Sequence, residues 1–199
     1  MSSSLILASG SEYKRSLLQR LGLDFRTLPA EIDEHASGDD SLPPAEEARL
    51  LARRKVRDVQ PRADRAFVLA SDQIVSLGDR RFSKPGSAAA AARQLRALSG
   101  RSHRLVAAVA LAAPDGELYI DSVCHEMEMR DLDDDEILTY VDEDQPLDCA
   151  GSYKVESRGI RLFRAMRGDD YTAIVGLPLT RVWNTLERAG YFETTDSDA

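Results

Sequence analysis

The sequence predicts an α/β fold, in which helices flank an elongated, twisted mixed sheet with a central cleft. In the N-terminal part, short apolar runs alternate with helical patterns, which is typical of parallel strands joined by helices. In the middle of the chain, two strand-like runs meet at Asp115-Gly116, a hairpin signal that adds antiparallel strands. We expect one domain of two lobes at residues 1–192, followed by a polar tail at 193–199.

The composition narrows the classes of protein to which the chain can belong. Of its 199 residues 43% are hydrophobic, and its net charge of −8 disfavours extensive electrostatic binding to a nucleic-acid backbone. We see neither a membrane-spanning apolar run nor a secretion signal, so we expect a cytoplasmic protein without membrane contact. Cys124 and Cys149 are isolated and the histidines form no cluster, which favours buried, reduced thiols over a disulfide or a zinc site.

The first predicted element is a strand that leads through a tight turn into a helix. The apolar run Leu5 to Ala8 predicts the strand, Ser9-Gly10-Ser11 the turn, and leucines at helical spacing after Glu12 the helix. The first N–H groups of such a helix have no intrahelical partner, so this turn can hold an anion.

The side chains beside this turn fit a phosphate site. Ser9 and Ser11 can donate to phosphate oxygens, and Lys14 and Arg15 supply positive charge from the first helical turn. Taken alone, the same pattern also describes an ordinary strand–helix turn with serine as its cap. The spacing of a P-loop is absent.

The remaining elements follow from apolar periodicity and turn residues. In the first half we predict a strand at 25–28, a polar loop to residue 44, a helix at 45–59, a buried strand at 67–71, a turn region at 80–86 and a helix, capped by Ser87, through residue 98. In the second half we predict strands at 104–112 and 117–130, a helix from 133 to about 141, a loop at 146–156, a hairpin of strands at 159–166 and 171–175, and a helix at 179–188. His125 falls on a buried face, and the acidic run 133–136 suits a helix N-terminus better than a metal site.

Asp72 is the candidate reactive carboxylate. It directly follows the buried run 67–71, and open α/β sheets bind ligands at the carboxyl ends of their strands. A turn-forming aspartate is the alternative interpretation.

Seven motifs, taken in order, carry a family resemblance. They are Leu7-Ala8-Ser9-Gly10-Ser11 with Lys14-Arg15, Arg53-Arg54-Lys55, Ser71-Asp72-Gln73, Ser83-Lys84-Pro85, Leu98-Ser99-Gly100, Asp148-Cys149-Ala150-Gly151-Ser152-Tyr153-Lys154-Val155-Glu156 and Val175-Gly176-Leu177-Pro178-Leu179. In this order they resemble the Maf family of nucleoside triphosphate pyrophosphatases, roughly over residues 5–190.

The resemblance implies a fold, a reaction and a set of site residues. The fold would be similar to that of inosine triphosphate pyrophosphatases, and the reaction a cleavage between the α- and β-phosphates that depends on Mg²⁺ or Mn²⁺, cations that suit oxygen ligands. Asp72 would be the general base and a metal ligand, and Glu34 a metal neighbour. The protein would form a homodimer. The implied phosphate-binding residues are Ser9, Ser11, Lys14, Arg15, Lys55 and Lys84.

Three positions associated with substrate choice in the family are Tyr13, Gln73 and Glu156 here, and they resemble the branch that acts on 7-methyl-GTP. Methylation at N7 makes guanine cationic, so Tyr13 can stack on it, and Glu156 can accept from its edge or offset its charge. Two residues depart from the family pattern. Glu12 adds negative charge near the phosphate site, and Lys14 replaces an arginine and loses its bidentate fork.

Two alternatives stay open at this point. One is a pyrophosphatase of the same family that prefers UTP, CTP or dTTP. The other is a regulator of cell division that binds a nucleotide without turnover, since the family is associated with septum formation. Release of pyrophosphate separates the second alternative from both enzyme hypotheses.

Overall fold

The computed structural model describes residues 4–33 and 41–193. A mixed sheet forms the centre of this part, with strand order β2-β1-β3-β5-β6-β7 and with β4 paired to β3. The strands are β1 (Leu5–Leu7), β2 (Arg26–Thr27), β3 (Phe67–Leu77), β4 (Arg80–Phe82), β5 (Ser102–Ala112), β6 (Leu118–Met129) and β7 (Phe163–Arg167). The α-helices are α1 (Glu12–Gln19), α2 (Pro44–Val59), α3 (Ala88–Leu98), α4 (Asp134–Asp144), α5 (Thr172–Val175) and α6 (Leu179–Arg188).

The strand directions confirm the predicted mixed sheet. β1 runs parallel to both β2 and β3, in the part of the chain where strands and helices alternate. The pairs β3–β5, β5–β6 and β6–β7 are antiparallel. Within residues 4–33 and 41–193, none of the helices has both the length and the apolar character needed to cross a membrane.

Helices cover both faces of the sheet. Beneath α2 the sheet face is built largely from alanine, which lets the helix approach closely, and Ala52 and Ala108 are completely buried there. On the opposite face α1 and α6 pack on leucines such as Leu69. A third cluster joins α3 and α4 to the far ends of β3, β5 and β6. The buried position of His125 agrees with the prediction, whereas the prediction of buried cysteines is wrong, because Cys124 is exposed and Cys149 only partly buried.

Three local predictions are wrong. Residues 171–175 do not form a strand, because α5 begins at Thr172, and β7 pairs with β6 instead. The predicted turn region at 80–86 begins with strand β4, which pairs with β3 across the two residues Gly78 and Asp79. Gly78 has a φ of +57°, which a glycine adopts without strain. β3 also continues through Asp72 to Leu77 instead of ending before it.

Candidate active site

The candidate site lies where one edge of β3 changes partners. Along its other edge β3 pairs continuously with β5. On this edge it pairs with β1 as far as Leu69 and with β4 from Val75 onward. Between these two residues no strand of the described chain covers the edge. The polar sequence Ser71-Asp72-Gln73 therefore lies in the part of β3 whose backbone edge is not paired with β1 or β4.

Asp72 and Lys55 meet on the sheet face that α2 covers. Both residues are buried, with 7% and 8% of their surface exposed. The Nζ of Lys55, from the C-terminal half of α2, contacts Oδ1 of Asp72. Two residues that the motifs separate by 17 positions thus form one buried ion pair. The pair places a carboxylate and an ammonium beside the open edge of β3.

The turn before α1 has the features expected of an anion-binding turn. Ser11 is the N-cap residue of the helix, but its side chain caps none of the helical N–H groups. Its own backbone N–H donates to Oγ of Ser9 at 3.1 Å. Lys14 extends from the first turn of the helix to β3, where its Nζ donates to the carbonyl oxygen of Ser71 at 2.7 Å. The turn and the Lys55–Asp72 pair are therefore joined through adjacent residues of β3.

Two predicted phosphate-binding residues, Arg15 and Lys84, are not joined to this cluster. Arg15 is exposed, and its guanidinium lies 3.7 Å from the carboxylate of Glu12. Lys84 is exposed just after β4, and within the described residues it makes no hydrogen bond or ion pair. Glu34 lies outside the described residues. These side chains keep their predicted roles as predictions.

Gln73 and Ser71 point to the other face of the sheet, as alternation along a strand requires. The Nε2 of Gln73 donates to the carbonyl oxygens of Ala173 and Ile174 at 3.0 and 2.9 Å. The Oγ of Ser71 donates to the carbonyl oxygen of Gly176 at 2.9 Å. Both side chains therefore fasten the short helix α5 and the turn after it to β3.

Asp170 fixes the same turn from its other side, a role that the sequence did not indicate. Its buried carboxylate accepts from the backbone N–H of Thr172 at 2.9 Å and from that of Thr180 at 2.8 Å, and from both threonine hydroxyls. Burial alone would raise the pKa of this carboxyl, but the hydrogen bonds outweigh it and lower the pKa. The carboxylate thus holds the first turns of α5 and α6 together.

Tyr13 and Glu156, the other two positions expected to select the base, both interact with Lys154. Nζ of Lys154 lies 5.9 Å from the centroid of the partly buried Tyr13 ring, and burial raises the pKa of Tyr13. Glu156 is exposed, yet desolvation by nearby protein atoms raises the pKa of its carboxyl, and the charge of Lys154 opposes this shift. No hydrogen bond or ion pair joins Glu156 to Tyr13 or Gln73 within the described chain.

The described residues fit a divalent cation only in part. Within residues 4–33 and 41–193, no group of three or more histidine, cysteine or carboxylate side chains is arranged to hold a metal ion. Asp72 supplies one buried carboxylate, of which Oδ1 contacts Lys55. Mg²⁺ is commonly held by one or two carboxylates together with phosphate oxygens of the substrate. A single carboxylate therefore fits a cation that binds together with a triphosphate.

The fold and the site together define an α/β protein in which two lysines and one buried carboxylate lie beside an open strand edge. The chain belongs to the Maf family, since the family model described as "Maf-like protein" matches residues 4–189. It is 43% identical over 187 residues to the 7-methyl-GTP pyrophosphatase of Xanthomonas oryzae pv. oryzae, covering 94% of this chain and 97% of that protein. It is 37% identical to the 7-methyl-GTP pyrophosphatase of Pseudomonas putida, covering 94% and 96%.

Solved structures give weaker similarities. The Ham1 protein of Staphylococcus aureus matches with a TM-score of 0.45 and 16% identity, over 63% of this chain and 71% of that one. A nucleoside-triphosphatase (dITP/XTP pyrophosphatase) of Mycobacterium abscessus matches with a TM-score of 0.41 and 19% identity, over 63% and 72%. At these values the matches add nothing to the family assignment.

Proposed function

We propose that this protein hydrolyses 7-methyl-GTP to the nucleoside monophosphate and pyrophosphate, and so removes a modified nucleotide from the nucleotide pool. The relatives named 7-methyl-GTP pyrophosphatase support the substrate, because they match nearly the whole chain at 37–43% identity. The structural observation that carries the reaction is the buried Lys55–Asp72 pair at the open edge of β3, next to the Lys14 contact.

Ser9, Ser11 and Lys14 form the first group of proposed phosphate ligands. The uncapped N-terminus of α1 adds N–H groups whose dipole favours a negative charge. Arg15, Lys55 and Lys84 supply further positive charge from separate parts of the chain. Such positioned cations offset the charge that a triphosphate concentrates in its transition state, an effect commonly worth several kcal/mol.

Asp72 is the proposed general base. Its carboxylate accepts a proton from a water molecule as the water oxygen attacks the α-phosphorus. The bond between the α-phosphorus and the bridging oxygen breaks, and pyrophosphate leaves with the electron pair of that bond. The ammonium of Lys55 keeps the buried carboxylate charge compensated during this step. Mg²⁺ or Mn²⁺, held by Asp72 and the phosphate oxygens with Glu34 as a proposed neighbour, would polarise the phosphates when bound.

Tyr13 and Glu156 are the proposed readers of the base. A cationic 7-methylguanine ring is attracted to the face of an aromatic side chain and to a carboxylate. Gln73 has a different geometry, because both of its amide hydrogens are directed to carbonyl oxygens of α5. We therefore assign Gln73 an indirect effect on substrate choice, through the position of α5.

The proposed function is tested by measuring pyrophosphate release with Mg²⁺ or Mn²⁺ from 7-methyl-GTP, GTP, UTP, CTP and dTTP. We expect the highest kcat/KM for 7-methyl-GTP, and a loss of at least about a hundredfold in kcat for Asp72→Asn. A preference for UTP or dTTP would overturn the proposed substrate. Binding of 7-methyl-GTP without release by the wild type would instead favour a regulator that senses the nucleotide.

The homodimer and the single domain at residues 1–192 also remain proposals. Light scattering coupled to size-exclusion chromatography measures the mass in solution directly. One cooperative unfolding transition, seen by two spectroscopic probes, is the result expected for a single domain.

A further inference from the structure

The backbone of Lys154 is held on both sides by neighbouring groups. Its N–H donates to the hydroxyl of Tyr140 at 2.9 Å, and Tyr140 is completely buried. Its carbonyl oxygen accepts from the backbone N–H of Ser157 at 3.1 Å and of Gly159 at 2.9 Å. A Cβ at Gly159 would lie only 2.5 Å from that oxygen, so only glycine fits there. The base of the side chain therefore has a fixed position.

The side chain of Lys154 is fixed at its other end as well. Its Nζ donates to the carbonyl oxygen of Gln145 at 3.2 Å, lies 3.7 Å from Oδ1 of Asp148 and faces the ring of Tyr13. Only 16% of the side chain is exposed. Burial alone would lower the pKa of Lys154, but Tyr13 and Asp148 outweigh burial and raise it, which keeps the group charged.

We propose that Lys154 is a positioning residue for nucleotide selection, acting through Tyr13; the inference rests on the proposed function. The ammonium lies over the aromatic ring, 5.9 Å from its centroid, and this contact restricts the orientation of the ring on which the base stacks. The same ammonium influences the pKa of both Tyr13 and Glu156. It thereby connects α1 to the loop that carries Glu156.

Replacing the charge tests this role. Lys154→Met keeps the length of the side chain, and we expect KM for 7-methyl-GTP to rise about tenfold, the upper range of a cation–π contact. We expect kcat to change less than about twofold, because no contact of Lys154 in the described chain involves Asp72. Lys154→Arg should restore most of the affinity, since a guanidinium can make the same contacts.

A double-mutant cycle with Tyr13→Leu shows whether Lys154 acts through the ring. If it does, Lys154→Met has little further effect on KM once the ring is absent. The matched control is Arg158→Met, which removes an exposed cation of the same segment, paired with Glu143 at 3.3 Å, and should leave KM unchanged. Lys154→Gln serves the same purpose if Lys154→Met does not fold.

Calorimetric measurement of the Kd for 7-methyl-GTP on the same variants distinguishes a failure of the proposed function from a failure of the proposed role of Lys154. No turnover by the wild type overturns the proposed function but still allows the coupling to be measured from Kd. Additive effects of the Lys154 and Tyr13 changes, or a fall in kcat at unchanged KM, overturn the role of Lys154.

Discussion

The buried pair of Lys55 and Asp72 gives the sharpest prediction of stability. Only 10% of the Lys55 side chain and 9% of the Asp72 side chain are exposed, so each charge is shielded from water and lies against the opposite charge. Removing one partner of a buried pair commonly costs about 3–5 kcal/mol, because the other charge stays buried without its partner. Lys55 also makes a further interaction in the structure, so we take the lower end of this range for its removal.

We therefore expect Lys55→Met to lower the free energy of unfolding by about 3 kcal/mol. Asp72→Asn should cost less, about 2 kcal/mol, because the amide oxygen can still accept a hydrogen bond from Lys55. The double variant replaces two buried charges by uncharged groups and should lie within about 1 kcal/mol of the wild type. Recovery of the free energy of unfolding in the double variant is the result that distinguishes a buried, desolvated ion pair from two independent charges.

Urea unfolding, followed by circular dichroism, measures these differences. The control is Arg96→Met, which breaks an exposed ion pair with Asp134 at 2.6 Å and should change stability by less than about 0.5 kcal/mol. The reasoning is refuted if Lys55→Met behaves like this control. It is also refuted if the two single changes add in the double variant, because then the charges do not compensate one another.

Three further changes test the surroundings of this pair. Gln73→Leu removes two hydrogen bonds to α5 and should cost about 2 kcal/mol; an unchanged urea midpoint would contradict this. Glu156→Gln should lower the preference for 7-methyl-GTP over GTP about tenfold, and an unaltered ratio of kcat/KM values would exclude its carboxylate from base reading. Asp170→Asn should cost about 3 kcal/mol at neutral pH. Hydrogen bonds hold the Asp170 pKa low, so its contribution is present above about pH 4 and is lost as the pH falls further; melts over this range should show the two proteins converge.

The local sequence pattern correctly predicted those helices whose starting residues are set by capping side chains within the same segment. Ser87 caps α3 by accepting from the N–H of Ala90, and Asp133 and Glu136 form a capping box at the start of α4, both visible as sequence signals. The segment 171–175 was different, because its β-branched residues favour a strand. The carboxylate of Asp170 stabilises a helix here instead, because it accepts hydrogen bonds from the backbone N–H of Thr172 and from that of Thr180, eight residues further on. Tertiary contacts of this kind have no local signature.

The sequence indicated candidate residues for the site but not the contacts between them. The family resemblance singled out Lys14, Lys55 and Asp72, and the structure joins them through β3. It could not indicate that the amide of Gln73 is directed to carbonyl oxygens 100 residues away. Lys154 stood inside a quoted motif, but only its distance to the Tyr13 ring gave it a role. Pairings between distant segments depend on the folded backbone, which residue spacing does not encode.

The geometry of β3 explains how the proposed general base and a proposed selecting residue can lie on one strand. Consecutive side chains alternate between faces, so Asp72 meets α2 whereas Ser71 and Gln73 meet α5. A ligand confined to one face would reach only half of these groups. Because the edge of β3 is uncovered between Leu69 and Val75, a nucleotide at that edge can contact both faces. We therefore expect a phosphate group at this edge to lie between Lys14 and Lys55, with the base directed toward Tyr13.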